Sequence, residues 1–269
     1  MLDKRRIQAV CGGFWTRTWL LALLLTLPPA LLADEETPEP TENLVILCSQ
    51  GFVSFSSNFI PNLEDKQRLH TWTTHTDRTV VEYQPESSEL GTLSATLLEA
   101  LTMANRRFNE TRPETKDLVF SRQKKVNPKM TKYFVLKGAD TNPTGLGMLV
   151  EGNQGVKIPA EDQFPTQNFR ERGGKTRRLV EVARLATHEK EKGGLTHIFA
   201  AMAKRLKADY GDPPPEDLDV VLWTSLPVLT EIYRDRYGFE VWRDSKQLDC
   251  EGCSYMGFPA REFVKRYAP

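Results

Sequence analysis

Apolar positions along this chain recur with two different periods, and the changes between them mark the elements. Leu44–Phe55 is dense in Val, Ile and Phe around Gly51 and reads as a strand or strand pair, and Thr79–Tyr83 as a short strand. Leu90, Leu93, Leu97, Leu101, Ala104 and Phe108 then follow at helical spacing. They predict a helix from an N-cap at Ser88 to about Phe108, with Arg106 and Arg107 at the end where the helix dipole favours cations. Leu118–Arg122 and Tyr133–Lys137 are strand-like. Gly145–Glu151, after the turn Asn142-Pro143-Thr144-Gly145, pairs naturally with the strand before it. Residues 152–176 have little periodicity, hold six glycines and prolines, and read as a long loop.

The last hundred residues carry the clearest pattern. Leu179–Thr187 reads as a strand, and Gly194–Tyr210 as a helix with Leu195, Ile198, Phe199, Met202 and Leu206 on one face. Gly211 and Pro213–Pro215 stop that helix. Leu218–Thr224 is almost continuously apolar, as a central strand buried on both faces must be. Pro227 opens a short helix at a position where a missing N–H does no harm, and that helix ends by Gly238. Phe239–Trp242 and Ser254–Phe258 are the final strands. The alternation predicts an α/β domain with mixed strand pairing.

Composition narrows the classes. The chain has 269 residues, 36 basic and 36 acidic, with 39% apolar and 27% charged side chains. That excludes a polytopic membrane protein and general disorder. Zero net charge argues against non-specific nucleic-acid binding, which rests on clustered cations, so no nucleic-acid partner is expected. The first 33 residues differ from the rest: Lys4, Arg5, Arg6 and Arg17 precede an apolar run from Trp19 to Ala33, and Asp34-Glu35-Glu36 follows. This reads as a signal peptide cut after Ala33, or as an uncleaved membrane anchor. Either form predicts export, to the periplasm or the exterior, or attachment to a membrane through the N-terminus. Residues 34–43 read as a linker and 44–269 as one domain.

Four cysteines are too few for a disulfide scaffold, and Cys250-Glu-Gly-Cys253 is a lone C-x-x-C without the further ligands zinc needs. It reads as a turn that can close as a disulfide after export, and no metal is expected. Asn109-Glu110-Thr111 is a glycosylation triplet that carries weight only in a eukaryote.

Three segments resemble a known family: the strand Arg178-Leu-Val-Glu-Val-Ala-Arg-Leu-Ala-Thr187, the glycine pair Gly193-Gly194 after it, and Tyr233-Arg-Asp-Arg-Tyr-Gly-Phe239. Their order resembles the GNAT acyltransferase superfamily. Glu181-Val-Ala-Arg184-Leu is most similar to the acyl-homoserine-lactone synthase and N-acyl amino acid synthase branch. The resemblance spans about residues 130–259. It implies an α/β fold with a mixed, mainly antiparallel central sheet and helices on both faces. It also implies an N-acyltransferase moving an acyl group from acyl-coenzyme A or an acyl-carrier protein to the amine of a small molecule such as an amino acid. The alternative is an exported, non-catalytic module of the same fold that binds a lipid, peptide or partner protein. The leader favours that alternative, because acyl thioesters are cytosolic.

Acyl transfer needs a group to take the amine proton, preset donors for the carbonyl oxygen and an acid for the leaving thiolate. The resemblance implies Glu181 as base, Arg184 as the group that orients a carboxylate or the acyl carbonyl, and Tyr233 as acid. Leu185 and Thr187 on the strand, with Gly193, Gly194, Leu195 and Thr196 at the start of the helix, would hold the donor, since a helix N-terminus gathers N–H groups for phosphate. The turn departs from the family's glycine pattern by placing Leu195 in its third glycine slot, which counts against coenzyme A pyrophosphate binding and is tolerable with a carrier-bound donor. Glu181 and Arg184 fall on opposite sides of a regular strand, so both can face one cleft only across a β-bulge. Tyr233 stands five residues before Gly238, where the family spaces them by four, and an irregular helix end would restore the match. Otherwise Tyr233 and Tyr237 are packing residues.

Overall fold

The computed structural model describes residues 44–48, 51–55, 61–74, 78–111, 118–123, 125–152, 155–189 and 191–269. The expected leader at 1–33 and linker at 34–43 lie outside the described residues. The chain divides into two compact units, Met1–Leu63 and Glu64–Pro269. In the first, β1 (Leu44–Cys48) and β2 (Gly51–Phe55) pair antiparallel, Leu44 opposite Phe55. Helix α1 (Pro61–Gln67) crosses the boundary.

The second unit is built on an eight-stranded sheet. Its strands are β3 (Arg68–Thr73), β4 (Thr79–Tyr83), β5 (Thr131–Lys137), β6 (Pro143–Gly152), β9 (Arg178–Thr187), β10 (Leu218–Thr224), β11 (Glu240–Arg243) and β12 (Ser254–Pro259). They lie in the order β11-β12-β10-β9-β6-β5-β4-β3. All neighbours pair antiparallel except β9 with β10. A two-stranded ribbon, β7 (Glu171–Arg172) with β8 (Lys175–Thr176), stands apart from the sheet. This is the mixed, mainly antiparallel α/β architecture that the resemblance implies.

Helices cover both faces. On one, α5 (Gly194–Tyr210) lays Ile198, Phe199, Met202 and Leu206 on Val180, Val182, Val220 and Leu222, and α7 (Ala260–Tyr267) adds Phe263, Val264 and Tyr267. On the other, α2 (Ala95–Thr111) packs Leu97, Leu101 and Ala104 over Tyr133, Val135 and Met148. Each such aliphatic side chain removed from water contributes about 1.5–3 kcal/mol. Alternate residues of β9 therefore serve different layers, and position along that strand decides what each side chain meets.

Three expected elements differ. Leu118–Gln123 is helix α3, not a strand: Val119 is buried against α2, and its N–H donates to Asn105 Oδ1 at 3.2 Å. A short apolar run carries no period of its own, so packing on α2 decides its form. Helix α2 begins at Ala95, where Leu97 N–H donates to Ser94 Oγ at 3.3 Å. The cap is thus Ser94 rather than Ser88, and a separate 3-10 turn at Leu90–Thr92 precedes it. The expected loop 152–176 contains helix α4 (Pro159–Gln163) and the β7–β8 ribbon. Its Ile158, Ala160, Phe164 and Phe169 form a third cluster with Leu179, Val221 and Tyr255 of the sheet. The segment is a folded cover over β9 and β10.

Candidate active site

The site begins where the parallel pair of β9 and β10 comes apart. β9 and β10 are in register from Leu218 opposite Arg178 to Val221 opposite Glu181, and beyond that position they no longer pair. The β10-side edge of β9 from Val182 onward therefore presents main-chain groups without a sheet partner. A cleft of about 410 Å³ opens at this fork. Its walls include Val182 and Leu185 from β9, Leu222 and Thr224 from β10, and Leu226 and Leu229 at the start of α6 (Pro227–Asp235).

Glu181, the last paired residue of β9, lines the cleft and is fully buried. One carboxylate oxygen, Oε2, accepts the Ala160 N–H of α4 at 2.7 Å, and Oε1 has no partner among the described residues. Burial pushes its pKa up to about 8, only partly opposed by the Ala160 N–H, while Glu161 and Asp162 raise it further and Arg122 lowers it. The cover segment thus makes this carboxyl a proton-holding group poised near neutrality, as a general base requires.

Arg184 reaches the same cleft because β9 bulges. Leu146 of β6 faces Ala186 and Met148 faces Ala183, so Arg184 and Leu185 together oppose Gly147. Arg184 takes a left-handed backbone with φ 52°, although it is not glycine. Leu185 packs on the α5 side, whereas Ala183 and Ala186 pack on the α2 side. The half-buried guanidinium of Arg184 also turns to that side, where Nη1 donates to Gln123 Oε1 at the end of α3. The bulge thus removes the parity conflict between positions 181 and 184.

Tyr233 of α6 lines the cleft and is buried. Burial, with Tyr237 adding, holds its hydroxyl above the usual tyrosine range, so it keeps its proton at any physiological pH. The end of α6 is irregular: Phe239 N–H reaches the Tyr233 carbonyl at 3.1 Å, and Gly238, with φ 78°, donates to the Arg234 carbonyl at 3.1 Å. This closure is one residue wider than the usual glycine-ended helix turn.

The turn before α5 lies outside the lining of this cleft, as do Thr187, Gly194, Leu195 and Thr196. Gly193 caps the helix in the left-handed region with φ 77°. A Cβ on Gly194 would stand 2.9 Å from Thr187 Cγ2. The Gly194 and Thr196 N–H groups bond the carbonyls of Glu191 and Gly193 at 3.2 and 2.9 Å. Both acidic residues near the turn are paired, Glu191 with Arg78 at 2.5 Å and Glu189 with Arg107 at 2.7 Å. Their charge is therefore largely offset at the place where a phosphate would approach.

Residue-level reading missed Ala160, Gln123 and the cover. The sequence held one signal for the cover, since Pro159 followed by Glu161 and Asp162 is a helix start. Cys250 and Cys253 are joined as a disulfide. Among the described residues no three His, Cys, Asp or Glu side chains gather as metal ligands, and no helix is long and apolar enough to cross a membrane.

No family model matches the chain, and no curated protein matches it. Solved structures are similar in chain path. FeeM, an N-acyl amino acid synthase from uncultured soil microbes, is 14% identical with a TM-score of 0.46, over 63% of this chain and 94% of that one. An acyl-CoA N-acyltransferase from Pseudomonas aeruginosa is 14% identical with a TM-score of 0.38, over 66% and 96%. A mutant AtaT toxin bound to the C-terminus of the antitoxin AtaR and acetyl-CoA is 15% identical with a TM-score of 0.41, over 72% and 99%. These are likenesses at low identity, and the chemistry of this cleft is carried by its own residues.

Proposed function

We propose that this chain is an N-acyltransferase that moves an acyl group from a thioester, acyl-coenzyme A or an acyl-carrier protein, to the amine of a small molecule such as an amino acid. The observation that carries the reading is the fork of β9 and β10 at Glu181, which sets a sealed carboxyl with one unpartnered oxygen at the head of a cleft. In the reaction, the acceptor enters as the neutral amine. Its nitrogen bonds to the thioester carbonyl carbon, and ionised Glu181 takes the one proton that nitrogen must lose to become an amide nitrogen. Main-chain N–H groups on the opened edge of β9 receive the negative charge that develops on the carbonyl oxygen. The carbon–sulfur bond breaks as the amide forms, and Tyr233 protonates the departing thiolate. Leu185 flanks the thioester arm in the cleft, and Thr187 with the turn Gly193-Gly194-Leu195-Thr196, which lie outside its lining, receive the phosphate end of the arm. The leader at 1–33 delivers the enzyme to or across a membrane, which a reporter fused after residue 42 would read.

The test is acyl transfer by the full chain. Short- and long-chain acyl-coenzyme A are offered with a panel of amino acids and amines, and both thiol release and amide formation are measured. Transfer that falls by about 10²–10⁴-fold in Glu181→Gln supports the reading. No transfer, with free fatty acids stabilising the fold as well as the thioesters do, would replace it with a non-catalytic binding module.

A further inference from the structure

Arg184 is unusual among the buried and half-buried arginines of this unit. Arg205 pairs with Glu82 at 2.8 Å, Arg177 with Asp219 at 2.7 Å and Arg170 with Glu161 at 2.6 Å. Arg184 has no carboxylate partner among the described residues, Glu181 included, and its side chain donates instead to the amide oxygen of Gln123. Gln123 is itself fully buried, and its orientation is fixed from behind. Its Nε2 donates to Tyr133 Oη at 2.7 Å, and Tyr133 is sealed in the core beneath α2. Since a guanidinium only donates, the amide must present its oxygen to Arg184; the same oxygen lies 3.1 Å from the Tyr133 hydroxyl, so the phenol meets both ends of the amide.

An amide satisfies one N–H of the guanidinium without neutralising it. The charge is partly withdrawn from water on a non-glycine residue held in the left-handed backbone region, and the residue lines the cleft. The remaining lining adds positive charge. Arg122, Lys125 and Lys157 accompany Arg184, against Asp162 and Glu181 as the acidic side chains of the lining. A planar, half-buried fork without a counter-charge matches a carboxylate or phosphate in two-point contact.

We infer that Gln123 is a positioning residue that holds Arg184 in place with its charge uncompensated, so that the cleft selects an acceptor bearing an anionic group. The inference deepens the acyl-transfer reading of the same cleft and rests on it. The acceptor amine is then presented to Glu181 by an anionic group anchored at Arg184, and a plain amine or polyamine is disfavoured.

Binding tests this separately from turnover. Full-length protein is titrated calorimetrically with N-decanoyl-leucine and with N-isopentyl-decanamide, which lacks only the carboxylate. The wild type binds the carboxylate form at least about tenfold more tightly, the ratio expected of one charge-assisted hydrogen-bonded contact. Gln123→Glu supplies the missing counter-charge and brings the ratio within about twofold. Gln123→Met leaves the charge and keeps a preference above about threefold. If Gln123→Glu fails to fold, Arg184→Met must abolish the preference in its place. Equal affinities in the wild type, binding of neither ligand, or an undiminished ratio in Gln123→Glu would each overturn the inference. A transfer assay with leucine and isopentylamine separates the two levels. Carboxylate-selective binding without transfer removes the enzyme reading alone, whereas transfer that uses both acceptors equally removes this inference alone.

Discussion

Asp219 and Glu181 occupy neighbouring strands two register positions apart, Asp219 opposite Leu179 and Val221 opposite Glu181. Both are wholly buried acidic side chains within the same parallel pair. Asp219 is met from two directions: Arg177 donates to both of its oxygens, at 2.7 and 2.8 Å, and Arg172 donates to Oδ1 at 3.0 Å. Arg172 in turn lies over the Trp242 ring, 3.9 Å from its centroid. Among the described residues Glu181 receives one main-chain N–H and no cation. Similar groups at similar depth thus have different work. Below the fork, a satisfied carboxylate ties β10 to the segment leading into β9. At the fork, an under-satisfied carboxyl is kept in its proton-holding form beside open space. Burial by itself marks neither role, and the accounting of partners separates them.

Substitution of each residue should break this contrast in opposite ways. Asp219→Asn leaves Arg177 and Arg172 without their counter-charge, and removing one member of a buried pair costs about 3–5 kcal/mol. Urea denaturation should show that loss. In Glu181→Gln the unfolding free energy should stay within about 1 kcal/mol of wild type near neutrality or rise, because no ion pair is lost. A stability loss in Glu181→Gln as large as that in Asp219→Asn would make Glu181 a structural group and remove it from the mechanism.

The pH dependence sharpens the comparison at an intermediate scale. Glu181 titrates at about 8 in the folded chain, raised by burial, against an ordinary unfolded value of about 4.3. Between these values the folded chain holds a proton that the unfolded chain has released. The contribution is fully present below the unfolded value and is lost as the pH rises through the folded one. Wild-type stability relative to Glu181→Gln should therefore decline across that window, since glutamine does not titrate. Turnover should move the opposite way and climb as the carboxyl ionises near pH 8. A difference that is flat with pH, by denaturation at pH 5, 7 and 9, would contradict the raised pKa.

The smallest effect is expected at Tyr255, whose hydroxyl is buried without a partner among the described residues. Its pKa is raised, first by burial and then by Glu181 and Asp219, so it feels both carboxyls of the comparison. Tyr255→Phe removes an unsatisfied polar atom and keeps the ring that packs on Phe169 at 4.2 Å. The melting free energy should change by less than about 1 kcal/mol. A larger loss would mean that the hydroxyl supports one of the two carboxyls.

Much of the scaffold was legible before any coordinate. β10, α5 and the start of α6 fall where the apolar period, the glycines and Pro227 put them. Glu181, Arg184 and Tyr233 line one cleft, and the motifs had already drawn attention to all three. These features are local, written in spacing and turn chemistry over ten or fifteen residues. The α3 segment shows where local reading fails. Six residues with no distinguishing period became a helix because Val119 and Phe120 had α2 to pack against, and only that helix brings Gln123 to Arg184.

By itself, then, the sequence determined which segments could be strand or helix and which residues carried chemistry. Tertiary structure decided what those residues are in place. The two-against-one mismatch of β9 with β6 put Arg184 on the side of Glu181. The cover from Ile158 to Phe169, which periodicity left as a loop, excluded water from Glu181 and raised its pKa. The division follows from the range of the forces. Backbone preference and side-chain spacing act between near neighbours in the chain. Desolvation, strand register and the presence or absence of a counter-charge depend on groups brought together from distant segments, and they exist only once the chain has folded.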